Sequence, residues 1–293
     1  MRVPHLVTFL SDFGLGGGYV AACEAVMLRI HPATRVLHIT HEVPVGDVSA
    51  GALVLSRVLP LGAPAVHLAV VDPGVGTARH ALALVAARGD ILVGPDNGLL
   101  VEAADCLGGL REAWGLDHHR VRALAGAPAG SFSATFHGRD VFAPAAALFA
   151  RGKSPADVAS ALDPASLVRL GPRRIDWVST REVAVEVIEV DRFGNVALAL
   201  SFEDLKGRLG VPAQPVPSDS SLGFTVDLPG EGLPSWKARL VHTYGDLRPG
   251  ELGVFRDSWG QVALALNGAS AAELLGVRLG TLVRLKVTEE PAQ

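Results

Sequence analysis

The chain has 293 residues, 49% of them hydrophobic, and a formal net charge of −4 at pH 7. This length suits one large core or two modest ones, and the composition is typical of a soluble globular protein. The longest basic run is Arg173-Arg174, so we expect no nucleic-acid partner.

The N-terminal stretch, MRVPHLVTFLSDFG, holds only a short apolar run before Asp12 and no small-residue cleavage site. A membrane span needs about 20 apolar residues, and a secretory signal peptide ends at such a cleavage site. We therefore expect a cytoplasmic protein with no membrane partner. Cys23 and Cys106 lie far apart and fit no CxxC spacing, which predicts two buried free thiols.

The first half of the chain alternates short apolar runs with amphipathic segments, as α/β proteins do. The expected elements are, in chain order, strand HLVTFL, a helix over 19–30, strand RVLHIT, a helix over 48–58, strands AVHLAV, HALALVAA and ILVGP, and helices LLVEAADCL and VFAPAAALFARG. Because helical crossovers join parallel strands, this order predicts an α/β domain over residues 1–170, with a mainly parallel sheet flanked by helices. The loops SDFG, VDPGVG and GPDNG should then meet at the carboxyl edge of the sheet, bringing together Asp12, Asp72 and Asp96.

After the predicted linker GPRR, the helical pattern of the first half gives way to short strands. EVAVEVIEV and NVALAL alternate with period two across the turn DRFG, which is typical of a β-hairpin. Short strands KARLVHTY, GELGVFR, QVALALN and TLVRLKV follow between glycine and proline turns, and residues 210–235 are expected to form a long loop. These features predict a smaller antiparallel β-barrel or sandwich domain over residues 175–293.

Common hydrolase and nucleotide motifs are missing from the sequence. It has no GxSxG and no GK[ST], and His41-Glu42 lacks the second histidine of HExxH. Gly16, Gly18 and Ala21 do match GxGxxA between a strand and a helix. That match would suit a dinucleotide pyrophosphate, but a tight turn with close helix packing explains it better.

Two stretches combine charged side chains with turn residues. VDPGVGTAR places Asp72 at the end of an apolar strand and Arg79 seven residues later, a pattern that ordinary turn chemistry and a solvated ion pair could also explain. TFHGRDVF places His137 just before an apolar helix, where a lone histidine is more often structural. Asn97, in GPDNG, is either a rim residue or part of a helix N-terminal turn.

Together these stretches resemble a known family. SDFG at 11–14, VDPGVGTAR at 71–79, GPDNGLL at 94–100, TFHGRD at 135–140 and FGNV at 193–196 follow the order and spacing of the S-adenosyl-L-methionine (SAM) hydroxide adenosyltransferases. The resemblance implies an α/β domain followed by an antiparallel β-domain, and a homotrimer with sites at subunit interfaces. It also implies conversion of SAM and water to adenosine and L-methionine, with no cofactor and no metal.

The resemblance also assigns roles to individual residues. Asp72, Arg79 and His137 match the water-activating triad, and Asp12 matches the carboxylate that binds the ribose hydroxyls. The other implied substrate-binding residues are Gly138, Asp191, Phe193, Asn195, Tyr244, Ser258, Asn267 and Gly268. Among these, Tyr244, Asn267 and Gly268 are expected near the adenine, and Ser258 near the methionine part.

This sequence departs from its relatives at four positions. Gly17 stands where they usually have an acid for the methionine ammonium, in the pattern DFGxxD. Gly46, Trp259 and Leu266 replace a tryptophan and two arginines of the fluorinating enzymes. Two alternatives to hydrolysis therefore stay open, namely nucleophilic halogenation of SAM and a non-catalytic SAM- or adenosine-binding module.

Reaction chemistry favours hydrolysis among these options. The sulfonium leaves as a neutral thioether, so no general acid is required and the difficulty lies in activating water. Arg79 could lower the pKa of the water, and either Asp72 or a neutral His137 could accept its proton. The negative charge of Asp72 would oppose a halide in the same pocket.

Overall fold

The structure is a computed structural model that describes residues 5–127, 132–209, 222–230 and 234–289. The chain divides into two compact units, Met1–Gly171 and Pro172–Gln293. The first is an α/β unit and the second a β-barrel, so the predicted fold class is confirmed.

The first unit is built on a seven-stranded sheet with the order β2-β1-β3-β5-β4-β6-β7. Its strands are β1 (Leu6–Ser11), β2 (Arg35–Thr40), β3 (Val66–Val70), β4 (Ala81–Ala86), β5 (Ile91–Pro95), β6 (Leu110–Leu116) and β7 (Ala159–Leu162). The four strands β2, β1, β3 and β5 are parallel, whereas β4, β6 and β7 pair antiparallel. The short turn between β4 and β5 leaves no room for the helical crossover that parallel pairing needs.

Helices cover both faces of this sheet. They are α1 (Tyr19–Ile30), α2 (Val48–Val58), α3 (Val101–Cys106), α4 (His118–Leu124), α5 (Ala143–Ala150) and α6 (Pro155–Val158). Alternate residues of a strand point to opposite faces. Phe9 accordingly packs in the core that includes α1 and α5, and its neighbour Leu10 in the core that includes α2 and α3.

A buried polar network ties β1, β3 and the residue before β5 together inside this unit. Thr8 Oγ1 lies 2.9 Å from His67 Nδ1, and His67 Nε2 lies 2.8 Å from Asp90 Oδ1. The Asp90 side chain is fully buried and also accepts from Ala65 N at 3.1 Å and Arg88 Nε at 2.8 Å. These donors hold the pKa of Asp90 below its usual range, against the opposing effect of burial.

The second unit is a closed barrel. Its strands are β8 (Ile175–Ser179), β9 (Glu182–Val190), β10 (Val196–Ser201), β11 (Leu222–Asp227), β12 (Ser235–Leu240), β13 (Leu252–Arg256), β14 (Gln261–Leu266) and β15 (Leu282–Glu289). Seven strands close in the order β10-β14-β13-β12-β11-β15-β9, because β9 also pairs with β10, and β8 adds to β9. All neighbours are antiparallel except β12 and β13.

The structure corrects several details of the sequence-based expectations. Strands β6, β7, β8 and β11 and helices α4, α6, α7 (Phe202–Leu209) and α8 (Ala271–Leu275) were not expected. Strand β11 lies inside the stretch 210–235 that was expected to be a loop, while residues 210–221 and 231–233 of that stretch lie outside the described residues. Cys23 is buried as expected, but Cys106 is exposed because it lies on the outer side of α3.

Candidate active site

The first part of the site is the loop that follows β3. After Asp72, two turns form, with Val75 N donating to Asp72 O at 3.2 Å and Thr77 N to Gly74 O at 3.1 Å. They fold the chain back so that Arg79 reaches Asp72. Arg79 Nε donates to Asp72 Oδ1 at 2.8 Å, and Arg79 Nη2 donates to Oδ2 of the same carboxylate. The Asp-Pro-Gly turn therefore allows a bidentate ion pair between Arg79 and Asp72.

His137 completes this cluster from a different element. It directly precedes a π-helical turn, Gly138–Phe142, which leads into α5. Arg79 Nη2 lies 3.0 Å from His137 Nδ1, and the Arg79 guanidinium lies 5.2 Å from the centre of the Phe142 ring. The side chains of Arg79 and Asp72 are only 10% and 6% exposed. The three residues of the expected triad thus form one hydrogen-bonded group.

The hydrogen bonds fix the proton arrangement of His137. Burial lowers the pKa of His137, and the nearby Arg79 cation lowers it further, so the ring is neutral at neutral pH. A guanidinium can only donate hydrogen bonds, and His137 Nδ1 must therefore accept. The single proton of the neutral ring then sits on Nε2, which is the atom that can donate to a ligand.

A cleft of about 210 Å³ opens beside this group. Four expected site residues line it, namely Asp12, Asp72, His137 and Gly138. The remaining lining residues are Phe13, Val45, Gly46, Val70, Pro73, Val75, Thr135 and Phe136. Arg79 is not part of this lining, but it contacts two residues that are, Asp72 and His137. Phe13 and Phe136 stand inside the quoted motifs SDFG and TFHGRD, a signal that could have identified them.

Asp12 is held in the cleft by a backbone donor. Gly46 N donates to Asp12 Oδ2 at 2.9 Å, and Gly46 has a φ of +73°, a conformation that favours glycine. Among the described residues, this is the one hydrogen bond that the Asp12 carboxylate receives. Its second oxygen is therefore available to a ligand hydroxyl.

Two glycines beside the cleft are explained by aromatic packing. A Cβ at Gly138 would lie 2.9 Å from the Phe13 ring and 3.2 Å from the Phe136 ring. A Cβ at Gly17 would lie 2.7 Å from the ring of Tyr19, which packs edge-on against Phe136. A side chain at position 17 would therefore have to displace the Tyr19 ring. Gly18, with a φ of +71°, forms the turn that begins α1, which supports the turn interpretation of the glycine motif.

A second cleft, of about 160 Å³, lies in the barrel unit. The expected residues Asp191, Asn195, Tyr244 and Ser258 line it together with Glu189, Ala197, Phe255, Asp257, Trp259 and Ala263. Asp191 fixes the turn between β9 and β10, because its Oδ1 accepts from Phe193 N at 2.8 Å and from Asn195 N at 2.9 Å. The Asn195 amide also donates to Asp191 Oδ2 at 2.8 Å.

The turn between β13 and β14 repeats this construction. Asp257 Oδ1 accepts from Trp259 N at 2.8 Å and from Gln261 N at 2.8 Å. The two turns, DRFGN and DSWGQ, share the pattern Asp, any residue, aromatic, Gly, amide. That repeated pattern was the signal that could have pointed to Asp257. We name these two segments the twin turns; each carries an exposed aromatic side chain, Phe193 at 73% and Trp259 at 44%.

Several expected residues lie outside these linings. Phe193, Asn267 and Gly268 do not line the second cleft, and the Asn267 amide donates to Leu247 O at 2.6 Å. Asp96 and Asn97 do not line the first cleft. Asp96 accepts from Val168 N at 3.0 Å, and the Asn97 amide donates to Val71 O at 2.8 Å. These contacts give Asp96 and Asn97 structural roles.

No group of three His, Cys, Asp or Glu side chains is arranged to hold a metal ion in the described ranges. None of the helices in the described part of the chain is long and apolar enough to span a membrane.

One similar solved structure is that of an uncharacterized conserved protein from Thermotoga maritima. It has a TM-score of 0.81 and 34% identity, and the match covers 96% of this chain and 99% of that one. A conserved hypothetical protein from Thermus thermophilus has a TM-score of 0.69 and 35% identity, with 97% and 100% coverage.

Three relatives with known names span almost the whole chain. A protein from Salinispora tropica named (R)-S-adenosyl-L-methionine hydrolase is 49% identical over 96% of this chain and 97% of its own length. A protein of the same name from Thermus thermophilus is 38% identical, with coverage of 95% and 98%. A fluorinase from Nocardia brasiliensis is more distant, at 27% identity with coverage of 96% and 97%.

The family models divide the chain in the same way as the fold. Residues 7–159 match the N-terminal domain of the SAM hydroxide adenosyltransferases, and residues 185–284 match their C-terminal domain. The two matches lie in the α/β unit and in the barrel, respectively. The chain therefore belongs to the SAM hydroxide adenosyltransferase family.

Proposed function

We propose that this protein hydrolyses SAM to adenosine and L-methionine. The oxygen of water forms a bond to ribose C5′, and the C5′–S bond breaks with its electron pair staying on the methionine sulfur. One water proton remains on the new 5′-hydroxyl and the other passes to solvent through a base. The hydrogen-bonded group of Asp72, Arg79 and His137 beside a cleft that also contains Asp12 carries the proposal.

The hydrogen-bond geometry supports a separate role for each member of the triad. His137 donates its Nε2 proton to the water oxygen and so orients one lone pair towards C5′. Asp72 lines the cleft and accepts the proton that leaves the water. Arg79 holds both side chains by donating to each of them.

Charge balance explains why Asp72 rather than Arg79 activates the water. A cation about 4 Å from a nascent hydroxide stabilises it by roughly 4 kcal/mol at an effective dielectric constant near 20. The Asp72 carboxylate is paired with that cation and opposes it by a similar amount. The pair is therefore nearly neutral, and proton acceptance by Asp72 is the stronger contribution.

Other residues bind the substrate in this proposal. Asp12 binds the ribose hydroxyls through the oxygen that Gly46 leaves available. Residues of the barrel unit contact the nucleoside and the methionine part, namely Asp191, Phe193, Asn195, Tyr244, Ser258, Asn267 and Gly268. The reaction needs no metal or cofactor, because the leaving group is already activated as a sulfonium. We also propose that the protein forms a homotrimer with its sites at subunit interfaces. Its proposed location is the cytoplasm.

The names of the relatives support (R)-SAM as the substrate form. Relatives at 38–49% identity are named (R)-SAM hydrolases, whereas the fluorinases are more distant. Halogenation is the second candidate, and the carboxylate of Asp72 in the cleft would repel the entering halide. A SAM-binding module without turnover is the third, and the aromatic ring near Gly17 instead of an acid is the observation that favours it.

One chromatographic experiment separates these three functions. The protein is incubated with (R)-SAM or (S)-SAM in ¹⁸O-labelled water, with and without chloride. We expect equal amounts of adenosine and methionine, one ¹⁸O atom in the 5′-hydroxyl, and faster turnover of the (R) form. A 5′-chloro nucleoside would support halogenation. Bound but unchanged SAM would support the binding module, and an Asp72→Asn variant is the control for a contaminating activity.

A further inference from the structure

A chain of four polar side chains runs from the loop that presents Asp12 to the surface of the α/β unit. Ser11 Oγ lies 2.7 Å from His41 Nδ1, His41 Nε2 lies 2.8 Å from His38 Nδ1, and His38 Nε2 lies 3.5 Å from Glu24 Oε2. We call these four residues the histidine relay. None of them lines the first cleft, and the roles proposed above use none of them.

With the His38 ring in its neutral form, the relay has one proton order that satisfies every contact. A bare His38 nitrogen facing the Glu24 carboxylate would be repelled, so His38 Nε2 carries a proton. His38 Nδ1 then accepts from His41 Nε2, and His41 Nδ1 accepts from the Ser11 hydroxyl. Burial and the neighbouring His38 lower the pKa of His41 to about 4, so His41 is neutral at neutral pH as this order requires.

The inner end of the relay holds the loop that carries Asp12. With its proton donated to His41, the Ser11 oxygen accepts from Phe13 N at 3.4 Å. The backbone of the same segment adds two bonds, from Gly14 N to His41 O at 2.8 Å and from Val43 N to Ser11 O at 3.4 Å. Further along, Gly46 N binds the Asp12 carboxylate. Residues 41–46 therefore contact both sides of Asp12, and His41 is their buried anchor.

We propose that His41 is a positioning residue for Asp12, acting through Ser11 to hold the carboxylate where it binds the ribose hydroxyls. The inference rests on the proposed function, since it concerns the ribose contact of that site. It extends that function by assigning a role to a histidine outside the cleft. His41 touches no reacting atom, so it affects ribose binding rather than the displacement at C5′.

Two substitutions of the same residue separate this role from simple packing. An asparagine side chain places a polar atom near the position of the imidazole Nδ1, whereas a glutamine reaches the position of Nε2. His41→Asn therefore keeps a partner for Ser11 and loses His38, while His41→Gln keeps His38 and loses Ser11. Ser11→Ala removes only the inner hydroxyl.

The matched controls come from a second histidine pair in the same unit. His31 lies at the C-terminal end of α1, and its Nε2 lies 2.9 Å from His5 Nδ1. Neither residue lines the cleft. His31→Asn and His31→Gln repeat the same chemical changes without touching the relay.

The measurements are KM and kcat for SAM hydrolysis, and the Kd of adenosine by calorimetry, well below the unfolding temperature. We expect His41→Gln and Ser11→Ala to raise KM and the adenosine Kd about tenfold, as the loss of one net hydrogen bond does, with kcat within about twofold of wild type. His41→Asn should change both constants by about twofold, and the His31 variants should match wild type.

Three results would overturn the inference: unchanged KM and Kd in Ser11→Ala and His41→Gln, equal effects of His41→Asn and His41→Gln, or a fall in kcat alone. If the His41 variants unfold, Ser11→Ala decides. If the wild type forms no adenosine, the proposed function fails, and amide hydrogen exchange tests the positioning role separately. Exchange at Phe13 and Gly46 should be faster in His41→Gln than in wild type and His41→Asn, and equal exchange would contradict it.

Discussion

Replacing Asp72 by asparagine tests the charge balance of the proposed catalytic group. The Asp72 and Arg79 side chains form a nearly neutral pair with little exposure. Asp72→Asn removes the carboxylate and leaves the Arg79 cation beside a cleft of about 210 Å³. At a separation of about 6 Å from the guanidinium, a unit ligand charge contributes roughly 3 kcal/mol at a dielectric constant near 20. SAM carries a sulfonium, whereas adenosine is uncharged.

We therefore expect Asp72→Asn to weaken SAM binding by up to about a hundredfold and to leave adenosine binding within about twofold. Turnover should fall by about 10² to 10⁴, because the proton acceptor is lost. The double variant Asp72→Asn/Arg79→Gln restores a neutral pair. It should recover most of the SAM affinity and none of the turnover.

Calorimetry with SAM and adenosine, together with single-turnover kinetics, measures these quantities for the wild type and both variants. Equal affinities of wild type and Asp72→Asn for SAM would refute the charge argument. Recovery of turnover in the double variant would refute the assignment of Asp72 as the base.

Three further predictions follow from other contacts. Asp90→Asn should lower the free energy of unfolding by about 3 to 5 kcal/mol, since it breaks a buried ion pair. Because the pKa of Asp90 is lower in the folded than in the unfolded protein, its ionised form stabilises the fold fully above the unfolded pKa near 4. This stabilisation is lost as the pH falls through the lower folded pKa. Urea unfolding between pH 7 and pH 3 measures the effect, and a free energy of unfolding that does not change with pH would contradict it. Gly138→Ala should weaken adenosine binding about tenfold, because the Phe13 ring must move to make room for the new Cβ. The control Gly207→Ala should leave adenosine binding unchanged, because a Cβ at Gly207 meets nothing within 4 Å. Calorimetry compares the two variants, and equal affinities for adenosine would refute the packing argument. Iodoacetamide at pH 8 should label the exposed Cys106 and spare Cys23, because burial raises the pKa of Cys23 to about 12. Mass spectrometry identifies the labelled cysteine, and labelling of Cys23 in the folded protein would contradict its burial.

Sequence periodicity was sufficient for elements with a strong local signal. The parallel strands β1, β3 and β5 and the hairpin of β9 and β10 appear where the apolar runs predicted them. The loops with Asp12, Asp72 and Asp96 lie at the carboxyl edge, because parallel strands end on the same side. The grouping of Asp72 with Arg79 also had a local cause, the Asp-Pro-Gly turn.

Other features had only short local signals or depend on contacts between distant residues. The antiparallel pairing of β4 comes from the short turn to β5, and α8 is a five-residue helix fixed by its Ser270 cap. The proton arrangement of His137 depends on Arg79 at its Nδ1, a contact between residues that are far apart in the chain. Asp96 had the same sequence signature as Asp72 but binds a backbone amide instead of lining the cleft.

In the twin turns, the residues that fix the backbone differ from the aromatic residue at the tip of each turn. Each turn is held by its own aspartate and by a glycine with positive φ, Gly194 at +80° and Gly260 at +83°. In the first of these turns the Asp191 carboxylate binds the backbone, and the Phe193 ring is 73% exposed. Replacement of Phe193 is therefore expected to leave the barrel intact, so the side chain at the tip of this turn can change without a cost in folding.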